Sequence, residues 1–142
     1  MQVLKILSDI WKSGANIYLD KDDDRIAIEK QNLIPPEVME AAEQNFEAIN
    51  DWFKSWKDAS AEKTTILKMV QQICGWQNNK KIDEWFCAEE DDLMLFIDWT
   101  VVLAKNGWKD TYEDYRQFEN DESNEMARKL YERAVAYMKK GV

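Results

Sequence analysis

The run NIYLDKDDDRIAIEKQNLIPPEV, from Asn16 to Val38, decides how this chain folds. Asn16-Ile17-Tyr18-Leu19 and Arg25-Ile26-Ala27-Ile28 alternate in character along the chain, and the acidic stretch Lys21 to Asp24 separates them. Period-two alternation on both sides of a polar turn predicts a β-hairpin, with Ile17, Leu19, Ile26 and Ile28 on its inner face. Pro35-Pro36-Glu37 then opens a helix, because proline at the first helical position forfeits no hydrogen bond and an early glutamate complements the helix dipole.

Upstream of the hairpin, Val3, Leu4, Leu7, Ile10 and Trp11 recur at helical spacing and Gly14 supplies a stop, so the chain begins helix, hairpin, helix. Downstream, Val38, Ala41, Ala42, Phe46, Ile49, Trp52, Phe53 and Trp56 extend one apolar stripe to a break at Lys57-Asp58-Ala59. Ser60 can cap a further helix that runs to Gly75, and the polar stretch Gln77 to Lys81 precedes a short helical piece over Ile82 to Ala88. Glu89-Glu90-Asp91-Asp92 place acid at the start of a helix over Leu93 to Lys105, closed by Asn106-Gly107. Asp110 to Phe118 follows as its neighbour, and Ser123 is the expected cap of a last helix from Asn124 to Lys140, ended by Gly141. The expected fold is α+β and mainly α-helical, with a hairpin unit over residues 1–57 and a small helical bundle over residues 58–142.

The 142 residues carry 45% hydrophobic side chains and seven tryptophans, enough to bury a substantial core. A net charge of -9 repels a phosphate backbone, so direct nucleic-acid binding is not expected. The longest apolar run, Leu93 to Ala104, is too short to span a bilayer and is interrupted by Asp98, and Met1 to Lys5 lacks the pattern of a secretion signal. Cys74 and Cys87 sit in apolar stretches without a CxxC spacing, which reads as reduced, mostly buried thiols and a cytoplasmic protein.

Leu7, Gly14, Ile17, Leu19, Ile26, Ile28, Leu33 and Pro36-Glu37-Val38, with the helix after them, resemble the TubC-type N-terminal docking domain over roughly residues 1–55. That resemblance implies a small dimeric unit whose hairpin takes up an extended peptide tail as an added strand. On this chain the partner-binding residues it implies are Ile17, Leu19, Arg25, Ile26, Ile28 and Lys30, with the edge around Ile26 to Lys30 receiving the peptide. Two departures from the family are visible. The residues after the docking-like unit cannot hold a condensation or ketosynthase domain, which points to a free-standing adaptor or a domain borrowed for other purposes, and short proteins of phages and mobile elements are the context expected for it. The turn carries Asp20, Asp22, Asp23 and Asp24, leaving Lys21, Arg25 and Lys30 as the nearby cations, so a basic or neutral tail fits as well as an acidic one.

Catalytic readings find little to build on. The sequence has no histidine, hence no imidazole base, zinc ligand or standard triad, and no glycine-rich phosphate loop. The Asp20 to Asp24 run imitates a calcium loop, but Arg25 stands at its glycine position and Gln31 at its closing glutamate, so a solvated hairpin tip is expected. The acids from Glu89 to Asp92 read as helix-start electrostatics, and Asp98 reads as a residue on the polar edge of its helix or one with a basic partner. No cofactor, metal or catalytic residue is expected. Some tryptophans should reach the surface, with Trp52 and Trp56 forming one helical stripe. The expected function is a non-catalytic interaction module; the competing expectation is an acidic inhibitor that imitates nucleic acid through Asp22 to Asp24 or Glu89 to Asp92.

Overall fold

The computed structural model describes residues 2–140. Among them are seven α-helices, two 3-10 turns and one antiparallel hairpin, a mainly helical α+β chain. The backbone divides into two compact units: residues 1–59 with 75–77, and residues 60–74 with 78–142. The break expected after Trp56 is therefore close to the division, but the chain returns to the first unit for Gly75, Trp76 and Gln77.

In the first unit, α1 (Val3–Lys12) buries Leu4, Ile6, Leu7, Ile10 and Trp11. Ile6 has no exposed surface, so α1 is enclosed on more of its circumference than the stripe ending at Trp11 implies. Gly14 follows with a φ of +95°, and an added Cβ there would lie 3.3 Å from Leu33 Cδ1, so both the turn and the close approach require glycine. The chain then forms β1 (Asn16–Asp20) and β2 (Arg25–Glu29), with Ile17 opposite Ile28 and Leu19 opposite Ile26. Opposite residues in an antiparallel pair share a face, so this register sets the four expected apolar residues on one side of the hairpin.

The single helix expected after Pro35 is two: α2 (Pro36–Gln44) and α3 (Phe46–Ser55). Asn45 separates them at φ -116°, ψ 20°, and its side-chain amide donates to the Ala41 carbonyl at 2.8 Å. The asparagine side chain thus binds a helix-end carbonyl, and the stripe continues past the joint because α3 starts at once. Pro36 occupies the helix start as expected.

The second unit is a bundle of α4 (Ala61–Ile73), α5 (Lys80–Ala88), α6 (Glu90–Lys105) and α7 (Asp121–Lys140). Helices α5 and α7 each pack on both α4 and α6. Ser60 caps α4 by accepting from the Lys63 amide, and Gly75 at φ +74° follows the end of α4. The centre is aromatic: Phe86 lies 5.5 Å from Phe96, Phe96 5.5 Å from Trp99, and Tyr115 meets the Trp99 ring edge-on at 5.3 Å. Offset and edge contacts of this kind add to the burial of large apolar rings.

Two expectations change here. The stretch Asp110 to Phe118 is a turn followed by a 3-10 helix over Tyr115–Phe118, because Asp110 and Asp114 turn their carboxylates onto the amides of Tyr112 and Arg116. Ser123 is not the cap of α7; Asn120 accepts from the Ser123 amide at 2.8 Å while Ser123 Oγ accepts from the Asn120 amide at 2.8 Å. This is a reciprocal capping box with serine at the third position, which starts the helix earlier than Asn124. The stop assigned to Gly141 lies outside the described residues.

Candidate functional site

The candidate site is the hairpin, and its two strands differ in how much surrounds them. On the β1 side, Trp11 Nε1 donates to the Ile17 carbonyl at 3.4 Å and Gln77 Nε2 donates to Asn16 Oδ1 at 3.5 Å. Ile17 is buried and α1 packs on β1, while α3 packs on both strands. In β2 every residue keeps solvent exposure, with Arg25 and Glu29 exposed and Ile26, Ala27 and Ile28 half-buried. The sheet has two strands, so β2 has β1 on one side and no third strand on the other. A strand in that position presents main-chain donors and acceptors to whatever approaches.

Ile17, Leu19, Ile26 and Ile28 share the hairpin face, and the first of them belongs to the core. The other three, Leu19, Ile26 and Ile28, are half-buried. Arg25 and Lys30, both exposed, stand at the two ends of β2, about 17 Å apart along an extended chain. Lys30 has a φ of +58° and its carbonyl accepts from the Leu33 amide, so the chain turns away immediately after the strand. That left-handed bend ends the edge at a defined place.

The acidic tip is more organised than a solvated turn. Asp20 Oδ1 accepts from the Asp22 amide at 3.0 Å, an Asx turn, and Asp24 takes a φ of +55°. Lys57 Nζ lies 3.0 Å from Asp24 Oδ1 and Lys54 Nζ 3.9 Å from Asp24 Oδ2. The Lys57 hydrogen bond and charge hold the Asp24 carboxyl below its ordinary value, and the same pair raises the Lys57 ammonium. Tyr18 donates to Glu29 Oε1 at 3.2 Å, and the nearby Glu29 charge pushes the Tyr18 phenol up. Two carboxylates near β2 are therefore already engaged by partners in the same unit. Asp24 is thereby paired with lysines far from it in the linear sequence, whereas Glu29, bonded by a neutral phenol, keeps its charge beside Lys30.

Elsewhere, the acidic start of α6 has a structural task at Asp92. Its Oδ2 accepts from Trp85 Nε1 at 2.7 Å and its Oδ1 from Arg133 at 2.7 Å. Asp98 is exposed on α6. Among the described residues no group of three or more histidine, cysteine, aspartate or glutamate side chains is placed to hold a metal ion. Trp11, Trp76, Trp85 and Trp99 are buried, and Trp52, Trp56 and Trp108 are half-buried, so these three reach the surface in part. Cys87 is exposed and Cys74 half-buried, contrary to the expectation of mostly buried thiols: Cys87 falls on the side of α5 opposite Ile82, Trp85 and Phe86. No helix of the described residues is long and apolar enough to cross a membrane.

No protein-family model, curated protein or solved structure matches the chain.

Proposed function

We propose that the protein is a non-catalytic interaction module whose hairpin captures an extended peptide along the outer edge of β2. The observation that carries this reading is the asymmetry of the two-stranded sheet: β1 buries Ile17 and is held by α1, Trp11 and Gln77, whereas β2, against which α3 also packs, stays exposed or half-buried throughout and has no strand beyond it among the described residues. A peptide that pairs there satisfies the main-chain groups of β2 and completes a three-stranded sheet, which is the usual minimum for a self-sufficient one. Arg25 and Lys30 at its ends favour a peptide with a carboxylate at one or both termini of the paired segment. The same mode of capture is what the resemblance to TubC-type docking domains implies, and the missing histidine fits a module without acid–base chemistry.

The test is selection of extended peptides from a displayed random library on the wild-type protein, followed by titration against two variants. Ile28→Pro removes a β2 amide, with circular dichroism to establish that the fold persists. Arg25→Glu with Lys30→Glu reverses the flanking charges on exposed positions that carry no core packing. The reading predicts that selected peptides carry acidic ends and lose at least about tenfold in affinity on both variants. Peptides that bind both variants as well as wild type contradict it.

A further inference from the structure

The second unit carries two surfaces that answer one another, and neither has been given a task above. The first is a trough of about 820 Å³ between the start of α5 and the C-terminal half of α7, beside α4. Its walls differ in length: α7 has 20 residues and spans about 30 Å, whereas α5 has nine and spans about 14 Å. Tyr131, Ala134, Val135 and Met138, at helical spacing, then line the trough with Ile82 of α5. Lys68, Lys81, Lys139 and Lys140 border it, with Glu84 the one acid on its lining. In a chain of net charge -9, four lysines around an apolar trough are a local reversal of sign.

The second surface is the outward ridge of α6. Met94, Ile97 and Val101 stand at i, i+3 and i+7 and keep 48%, 40% and 45% of their surface exposed. They are among the few large apolar residues left in solvent, and the spacing is that of helix anchors that insert into a groove. Acid surrounds the ridge: Glu90 and Asp91 lie at its N-terminal end and Asp98 beside its centre, all exposed. Lys105, one turn past Val101, is the cation at its other end.

We propose that the trough of one molecule takes the α6 ridge of a second copy, head to tail. The apolar anchors Met94, Ile97 and Val101 enter between α5 and α7, and the carboxylates of Glu90, Asp91 and Asp98 meet the lysine border. Charge complementarity selects this occupant, because the acidic, apolar, helical surface that the trough asks for is already present on every copy. The two surfaces differ, so the contact is heterologous: each molecule offers one of each, and association proceeds to chains or closed rings rather than stopping at a two-fold dimer. Long-range repulsion between acidic molecules falls off within about 8 Å at physiological salt, which leaves the local pairing to decide. The inference rests on the second unit alone and is independent of the hairpin.

Sedimentation velocity over a concentration series tests it, with two variants altered only at exposed positions. Lys81→Glu with Lys139→Glu closes the trough to acid, and Ile97→Arg spoils the ridge. Wild type is expected to grow beyond a dimer with concentration, and each variant alone to be weakened at least about tenfold. Mixing the two variants is expected to restore a 1:1 dimer and nothing larger, since the trough-altered molecule still has a ridge and the ridge-altered molecule still has a trough. A monomeric wild type at every concentration overturns the proposal. So does self-association that both variants retain, or a mixture that fails to form the dimer.

Discussion

Asp92, in the first turn of α6, joins α5 to α7. Its two oxygens are divided between the indole N–H of Trp85, which has no exposed surface, and the Arg133 guanidinium, each at 2.7 Å. The Asp92 side chain is 13% exposed and that of Arg133 49%. Asp92→Ala strands a buried indole N–H, which costs about 1–3 kcal/mol. It also removes a half-solvated ion pair and an acid in the first helical turn, each contributing roughly 0.3–1 kcal/mol. The expected loss is about 2–5 kcal/mol, and at roughly 3 °C per kcal/mol for a chain of this size the melting temperature falls by about 6–15 °C. Urea unfolding followed by circular dichroism measures it. Arg133→Ala is expected to cost no more than about 1 kcal/mol, because that group stays half in water. In a Trp85→Phe background the indole N–H is absent, so Asp92→Ala should cost about 1–3 kcal/mol less than in wild type. An equal cost in both backgrounds, or a wild-type cost below about 1 kcal/mol, refutes the hydrogen-bond account.

Three further outcomes are expected. Because Lys57 holds Asp24 below its ordinary value, the pair contributes stability above the unfolded carboxylate value of about 3.9 and loses it as pH falls through the lower folded value; Asp24→Asn should therefore destabilise at pH 7 and converge with wild type in acid, as urea titrations at both pH values will show. Burial raises Glu119, so its ionisation costs the folded state, with no penalty below the unfolded value of about 4.3 and the full penalty above the folded one; Glu119→Gln should stabilise at pH 7 and change little near pH 4. Gly14→Ala combines a φ of +95° with a Cβ 3.3 Å from Leu33 Cδ1, whereas Gly75→Ala at φ +74° meets nothing within 4 Å. Thermal melts should find the second costing about 1–2 kcal/mol and the first more.

The hairpin was legible because its alternation is local: Ile17, Leu19, Ile26 and Ile28 announce one face, and the structure pairs them as Ile17 with Ile28 and Leu19 with Ile26. Helix starts and stops set by a single residue were equally readable, as at Pro36, Ser60 and Gly107. What failed depended on choices among side chains that periodicity does not weigh. Asn45 divides a continuous stripe by turning its amide onto Ala41, and Asn120 takes the capping place that Ser123 also suits because the two bond reciprocally. The charge balance of the candidate site was hidden for a different reason. Lys57 reaches Asp24 across 33 residues, and Tyr18 reaches Glu29 only because the register brings them near, so which carboxylates are engaged is visible only in three dimensions.

The claim that β2 receives a peptide strand is most directly tested by backbone amide exchange, followed residue by residue by NMR, with and without a peptide selected on the wild-type protein. Pairing at the outer edge predicts that bound peptide slows exchange at alternate amides between Arg25 and Lys30, the period expected when every second N–H of a strand faces the new partner. Protection confined to α1, α3 or the second unit, with the β2 amides unchanged, contradicts it.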